Sequence, residues 1–303
     1  MAKTAATRSI KNDHQKEFLR IFNVLCGRYN RWEVWQDFMI LTATTFSFTT
    51  DKANAPERMK TFQAIAKKHT EDEMRSFDAM LNEVVEGMTQ QPDQDFLGSL
   101  YMLCELGNEH TGQFFTPYDV CKCMAMITMG NASLDFSQGF VSVSDPACGA
   151  GATLLALANI LKEKDVYYHT RVLFVGQDID YIVGLMCYIQ LSLMGCAGYV
   201  VIGDTISEPS WSYDGRGLLP GGPQNRIWYT PFYFTDVWVA RQQFAKMDLL
   251  FRKKKQQPST EPADLITQNA DISSKIEKKP IKSAIDEAQS ALNETKTGQL
   301  TFF

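Results

Sequence analysis

The stretch of sequence that decides the fold is Val141–Leu157, VSVSDPACGAGATLLAL. Val and Ser alternate up to Asp145, a turn of small residues follows, and an apolar run with helical character begins near Ala152. A strand, a tight loop and a helix start in this order bring backbone N–H groups up to a nucleotide-like ligand. Gly149 and Gly151 allow positive φ angles and close approach of a ligand, because no Cβ stands in the way. A single glycine-rich loop is a weak signal, so its surroundings decide its meaning.

Two further apolar segments end in acidic residues, as the first one does. Arg171–Gly176 predicts a second buried strand that leads to Asp178, and Gly198–Ile202 predicts a third that leads to Asp204. Open α/β sheets bind ligands at the carboxyl ends of their parallel strands, and an acidic residue after the second strand is typical of ribose binding. Asp also serves as a helix N-cap and turn former. The shared position of three such residues, Asp145 included, favours a ligand site.

The same region resembles a known family. DPACGAG at 145–151 is similar to the DPACGSG loop that binds S-adenosylmethionine in amino-group DNA methyltransferases. GQFFTP at 112–117 is similar to the GQFYTP segment in the modification subunits of type I restriction systems, and DFLGSLYMLCEL at 95–106 resembles the helix before it. GQDID at 176–180 and LSLMGCAGYVVIGDTI at 191–206 match the family's second and third motifs. Order and spacing are preserved throughout.

The resemblance implies S-adenosylmethionine as the cofactor and gives roles to individual residues. Gly149 and Gly151 would hold the methionine end with backbone groups, and Asp145 would fix its amino group. Asp178 would accept hydrogen bonds from the ribose hydroxyls, and Asp204 would read the adenine amino group. Residues 114–117 would close over the cofactor, although core packing is the alternative for the two phenylalanines. The full set of implied cofactor-binding residues is Phe114, Phe115, Thr116, Pro117, Asp145, Ala147, Gly149, Gly151, Asp178 and Asp204.

The catalytic signature of the family is incomplete in this chain. Methylation of an adenine amino group requires the base to be flipped into a pocket, where the family presents Asn-Pro-Pro-Phe/Tyr after the fourth strand. No NPPF, NPPY or DPPY occurs in the sequence. The nearest equivalent is YTPF, so the implied catalytic residues are Tyr229, Thr230, Pro231 and Phe232, with Tyr229 in place of Asn. We therefore expect methyl transfer by the isolated chain to be slow or absent.

The composition along the chain predicts three parts. Residues 1–110 carry apolar side chains at helical spacing and predict a helical N-terminal domain. Residues 111–251 predict the methyltransferase-like α/β domain, with four strands where the family has seven. Residues 252–303 begin with RKKKQQPSTEPAD and contain no aromatic residue before Phe302, which predicts a disordered tail.

The tail ends in QLTFF, which resembles the peptide by which bacterial replication and repair proteins bind the sliding DNA clamp. A few aromatic anchors carry most of the binding energy in such contacts. The residues that would bind the clamp are Gln299, Leu300, Phe302 and Phe303. A frayed terminus without a partner is the alternative.

Composition and charge exclude several other classes. The net charge of −5 gives no general attraction to nucleic acid, so DNA contact needs a local basic patch or a partner such as a specificity subunit. The seven cysteines lack metal-ligand spacing, and free thiols in a cytoplasmic protein are the better interpretation. The segment from Tyr181 to Ile202 is uncharged and long enough to cross a bilayer, but Gly195 and Gly198 interrupt it. A buried helix and strand account for the same residues, so we expect no membrane contact.

The sequence therefore predicts an α/β, Rossmann-like, S-adenosylmethionine-dependent methyltransferase fold, shortened and preceded by a helical domain. The leading hypothesis for its function is adenine-N6 methylation of DNA, within a restriction-modification-type assembly or alone. The alternative is a catalytically degenerate relative that acts as a DNA- or protein-binding module recruited to the sliding clamp.

Overall fold

The computed structural model describes residues 12–104, 106, 115–130, 134–256 and 299–301. The N-terminal part is helical, as predicted. Its five helices are α1 (Asp13–Leu25), α2 (Arg31–Phe48), α3 (Ala55–Lys68), α4 (Glu71–Gln90) and α5 (Phe96–Leu103).

Polar side chains fix where most of these helices begin. Asn12 and Asn30 accept hydrogen bonds from backbone N–H groups in the first turns of α1 and α2. Thr70 and Glu73 form a reciprocal capping box at the start of α4, and Asp95 caps α5. Each cap satisfies backbone donors that have no partner within the helix. The caps therefore fix the first residues of these helices, and the apolar faces of the helices pack together.

The remaining elements form an α/β layer structure around one sheet. They are α6 (Tyr118–Met129), β1 (Val141–Asp145), α7 (Ala152–Glu163), α8 (Tyr168–Arg171), β2 (Val172–Asp178), α9 (Tyr181–Leu193), β3 (Ala197–Ile202), β4 (Ile227–Tyr229), α10 (Asp236–Gln256) and β5 (Gln299–Thr301). The strand order is β4-β3-β2-β1-β5. All neighbouring pairs are parallel except β3 and β4. The predicted α/β, Rossmann-like fold is confirmed.

The fourth strand has an unexpected direction and position. β4 lies at the outer edge of the sheet and pairs antiparallel with β3, with Tyr199 opposite Tyr229. A parallel return requires a crossover, usually through a helix. The connection from Gly203 to Arg226 contains no α-helix, only the 3₁₀ turn Gln224–Arg226 close to β4. The chain therefore returns along β3 in the opposite direction.

Two pieces of the segment expected to be a disordered tail have regular backbone. α10 continues to Gln256, beyond the expected end of the α/β domain at residue 251, and Gln299–Thr301 form β5. The backbone of β5 pairs parallel with β1, with Leu300 opposite Val143. Residues 257–298 and 302–303 lie outside the described residues.

The helical part and the α/β part share one hydrophobic core. Phe18 and Trp35 from the helices belong to the same buried cluster as Leu154 from α7 and Tyr188 from α9. This continuity means that the expected boundary near residue 110 does not separate two independent cores.

A buried arginine joins the two parts at the edge of the sheet. Arg58 of α3 pairs with Asp51 at 2.8 Å and donates to the carbonyl oxygen of Ile227 in β4 at 2.7 Å. Its guanidinium group lies 3.6 Å from the centre of the Trp228 ring. A buried charge of this kind is tolerated because it is both paired and hydrogen-bonded.

The long apolar segment from Tyr181 to Ile202 is resolved into α9 and β3, as expected. Within the part of the chain that the structure describes, no helix combines the length and the apolarity needed to cross a membrane.

Candidate functional site

The loop between β1 and α7 lies at the carboxyl edge of the parallel strands. Gly149 has φ +54° and Gly151, which precedes α7, has φ +94°. A Cβ on Gly149 would lie 3.4 Å from Cδ1 of Phe115, whereas one on Gly151 would lie 2.8 Å from Sγ of Cys187. Gly149 therefore faces the rim of the site. Gly151 is required by the close approach of α9, which is a packing role that the sequence did not reveal.

Asp178 ties this loop to the end of β2. One of its carboxylate oxygens accepts a hydrogen bond from the N–H of Gly149, and the other accepts one from the N–H of Asp180, both at 2.9 Å. Burial raises the pKa of Asp178, and these two backbone donors oppose the rise. The partly buried carboxylate is therefore held in one orientation beside the loop.

Asp145 is more deeply placed than the sequence suggested. Its side chain is buried, and one carboxylate oxygen accepts a hydrogen bond from the N–H of Ala147 at 3.1 Å. Burial raises the pKa of Asp145 to about 6, and the nearby charge of Asp178 adds to the rise. Ala147 is exposed in the loop above it. An ammonium group that reached Asp145 would favour its ionised form.

Asp204 lies on an exposed turn after β3. Its carboxylate accepts hydrogen bonds from the N–H of Ile206 at 2.9 Å and from the hydroxyl of Ser207 at 3.1 Å, so it also stabilises its own turn. The hydroxyl of Thr205 donates to the carbonyl oxygen of Pro146, which joins this turn to the glycine loop. Asp145, Gly149, Asp178 and Asp204 are thus brought together at one edge.

Two exposed apolar side chains at this edge were missed by the sequence analysis. Ile179 follows Asp178 directly, and Ile206 lies two residues after Asp204; both are largely exposed to solvent. For Ile179, its place immediately after the acidic residue that ends β2 is a signal that the sequence offered. Such side chains can contact the flat face of a planar ligand.

The segment before α6 covers part of the loop. Phe115 packs against Tyr101 with ring centres 5.1 Å apart and borders Gly149, while Thr116 and Pro117 are exposed. The sequence left open whether Phe115 packs in the core or lies over the cofactor loop. Its ring contacts both the core and the loop. Phe114 lies outside the described residues.

The structure does not bring the four expected catalytic residues to this edge. Because β4 is antiparallel, Tyr229, Thr230, Pro231 and Phe232 come where β3 begins. The hydroxyl of Thr230 donates to the carbonyl oxygen of Cys196 at 2.7 Å and accepts from the N–H of Gly198 at 3.0 Å. Phe232 packs near the ring of His169. Residues 229–232 therefore lie away from the edge that holds Asp145, Asp178 and Asp204, and a catalytic role for them stays a prediction.

Tyr229 itself is part of the apolar layer on one face of the sheet. Its ring stacks on Tyr233 with centres 4.9 Å apart, and its hydroxyl donates to Gln224 at 2.8 Å. Burial raises the pKa of Tyr229 to about 12. A buried, neutral tyrosine in this position supports packing and has no access to the carboxyl edge.

The expected clamp-binding residues fall largely outside what the structure describes. The side chains of Gln299 and Leu300 are not described, and Phe302 and Phe303 lie outside the described residues, so binding to a sliding clamp stays a prediction. Among the residues that are described, no group of three or more His, Cys, Asp or Glu side chains is arranged to hold a metal ion.

A mostly parallel sheet with a glycine loop after β1 and acidic residues at the ends of β1 and β2 and after β3 is the arrangement typical of α/β proteins that bind nucleotide cofactors. The family described as N-6 DNA methylase matches residues 93–270, and the chain belongs to that family.

Three similar proteins show how the chain compares with known sequences and structures. The type I restriction enzyme MpnII methylase subunit of Mycoplasma pneumoniae is 30% identical over 121 residues, which cover 39% of this chain. The chain spans only 20% of the length of that curated relative. The methyltransferase subunit of a type I restriction-modification system from Streptococcus thermophilus is 14% identical over 65% of this chain and 59% of its own, with a TM-score of 0.35. The matched chain of the DrdV–DNA complex is 16% identical, over 80% of this chain and 25% of its own length, with a TM-score of 0.34.

Proposed function

We propose that the chain binds S-adenosylmethionine at the carboxyl edge of its sheet and serves adenine-N6 methylation of DNA, within an assembly of further subunits or alone. The observation that carries the proposal is the fixed link between Gly149 and Asp178. It holds a glycine with positive φ beside a carboxylate, at the edge where α/β sheets bind nucleotide cofactors. We place this function in the cytoplasm, with DNA and a specificity or partner subunit as the partners.

The residues present fit this cofactor. Gly149 leaves open the space that a Cβ would fill beneath Phe115, so the loop backbone is accessible to a ligand. Each oxygen of Asp178 already accepts one backbone hydrogen bond and retains a lone pair for a ribose hydroxyl. Asp145 would pair with the ammonium group, and Ile179 and Ile206 would flank the adenine ring. When bound, the cofactor supplies an electrophilic methyl group.

A second candidate function is cofactor binding without methyl transfer. It is favoured by the position of Tyr229–Phe232 at the opposite edge and by the absence of NPPF, NPPY and DPPY from the sequence. In this alternative the chain regulates or completes a methylase assembly. The two candidates share the cofactor site and differ only in the chemical step.

Two measurements distinguish these functions. Isothermal titration calorimetry with S-adenosylmethionine tests the site, with Asp178→Asn as the variant and Asp135→Asn as the control. Asp135 holds its own exposed loop through hydrogen bonds to Ser137, and it precedes the start of β1, whereas Asp145 lies at the end of that strand. Tritium transfer to unmodified DNA then tests the chemistry. Absence of binding at millimolar cofactor contradicts both candidates, whereas binding without incorporation into adenine supports the second.

A further inference from the structure

The helix α10 is anchored to the protein by one of its faces. Trp238 and Ala245 are fully buried, and the Trp238 indole N–H donates to the carbonyl oxygen of His169 at 2.8 Å. Gln242 lies between them on the same face and donates to the carbonyl oxygen of Tyr233 at 2.9 Å. These contacts fix the rotation of the helix about its axis, so its opposite face is held toward solvent.

That opposite face is an apolar stripe, which we name the α10 stripe. Its members are Val237, Ala240, Phe244, Met247 and Phe251, which follow one another at alternating intervals of three and four residues. All five are exposed: Phe244 is 68% exposed, Phe251 66%, Met247 46% and Val237 42%. Alternation of three and four is the spacing of the contact positions in a two-stranded coiled coil. Two phenylalanines this exposed on a rigid helix require a partner surface.

We propose that the α10 stripe pairs with the α10 stripe of a second copy of this chain, in antiparallel orientation. A stripe with this spacing is complementary to itself, because its side chains fit into the gaps of an identical helix. A two-fold axis through the middle of the stripe closes the pair without leaving a free stripe. The stripe offers about 500 Å² of apolar surface per copy, so the pair buries about 1,000 Å², near the lower limit for a specific interface.

The charges along α10 select the antiparallel orientation. The helix begins with Asp236 and ends with the basic run Arg252–Lys255. A parallel pair would place the two basic runs side by side, where like charges repel. An antiparallel pair places each basic run beside the acidic start of the other helix and also opposes the two helix dipoles. An interface near the lower size limit is typical of a reversible dimer.

Sedimentation velocity of the full chain from about 1 to about 100 µM tests the proposal. The wild type is expected to shift from the mass of one chain to that of two as concentration rises. Phe244→Glu and Met247→Glu should each remain monomeric across the range. Val24→Glu is the matched control, because Val24 is 66% exposed on α1 and lies outside the stripe, and it should dimerise like the wild type. Far-UV circular dichroism verifies that every variant is folded.

Cross-linking tests the orientation in a Cys123→Ser background, since Cys123 is exposed. With a short bis-maleimide, an equal mixture of Val237→Cys and Phe251→Cys chains should give covalent pairs between the two variants. Val237→Cys alone should give almost none. Strong linkage of Val237→Cys to itself would overturn the antiparallel arrangement. A wild type that stays monomeric at the highest concentration, or a Phe244→Glu variant that dimerises like the control, would overturn the proposal and assign the stripe to another partner.

Discussion

The backbone N–H of Gly149 donates a 2.9 Å hydrogen bond to the carboxylate of Asp178, joining the loop after β1 to the end of β2. The bond runs between segments that are remote in sequence and meet only because β1 and β2 pair in parallel, with Asp145 opposite Gly176. A charged acceptor makes this bond stronger than one between neutral groups. The site is therefore organised before a ligand arrives.

Replacement of Asp178 by Asn should weaken S-adenosylmethionine binding by about 1–3 kcal/mol, because the charge is lost and the amide N–H₂ faces a backbone donor. Titration calorimetry measures the change. Asp135→Asn should bind as the wild type does. Equal affinities for all three proteins would exclude Asp178 from the site.

Replacement of Gly149 by Ala should abolish or strongly reduce cofactor binding and cost about 1–2 kcal/mol of stability from the positive φ. Gly139→Ala is the matched control. Gly139 also has a positive φ, and a Cβ there would meet nothing closer than Arg241 at 3.7 Å. Urea unfolding should show similar losses for the two variants, while only Gly149→Ala loses binding. A loss of binding in both would indicate general destabilisation.

The free energy of unfolding should depend on pH through the titration of Asp145. Its pKa is raised from 3.8 to about 6 by burial, so between these values the folded protein keeps a proton that the unfolded chain has released. The free energy of unfolding therefore falls as pH rises through this window, by about 3 kcal/mol for this group, and the cost is fully present above pH 6. Asp145→Asn should remove this slope.

Urea unfolding of both proteins from about pH 4 to about pH 7.5 measures the difference between their stabilities. Burial also raises the pKa values of Asp95 and Asp178, but both residues are present in each protein, so the comparison isolates Asp145. Parallel stability curves would contradict the prediction.

Substitutions at Tyr229 should change stability and leave cofactor affinity unchanged. Tyr229→Phe removes the hydrogen bond to Gln224 and should cost about 1 kcal/mol. Tyr229→Asn empties part of the apolar layer and should cost about 3–5 kcal/mol. Urea unfolding and calorimetry on the same samples measure both quantities. Enhanced methyl transfer by Tyr229→Asn would show that this residue reaches the reacting base after all.

The parallel part of the fold could be predicted from the sequence because its signals are local. Three apolar segments ended at Asp145, Asp178 and near Asp204, and β1, β2 and β3 occupy nearly the expected positions. The structure brings these residues to the same edge of the sheet because the carboxyl ends of parallel strands all lie at that edge. Ile179 could also have been found from the sequence, since it directly follows Asp178 at the end of β2.

The remaining features depend on contacts between distant segments. Matching YTPF to a family motif suggested a place for Tyr229, but strand direction decides which edge it reaches. The glycines and prolines between Ser207 and Asn225 disfavour a crossover helix, but the sequence analysis did not use them to predict the direction of β4. The role of Gly151 against Cys187 and the Arg58 contact with Ile227 have no local signature, so only the folded structure reveals them.

The shared core has a practical consequence for dividing this protein. A polypeptide starting at residue 111 would leave α9 without α2, and would expose Tyr188 and Trp228 to water together with an unpaired carbonyl at Ile227. The helices alone would expose the face of α2 that packs on α9 and would remove the carbonyl oxygen of Ile227 and the Trp228 ring from Arg58. Neither half should be soluble when expressed by itself. Proteolytic cleavage between the two halves should not release two stable fragments.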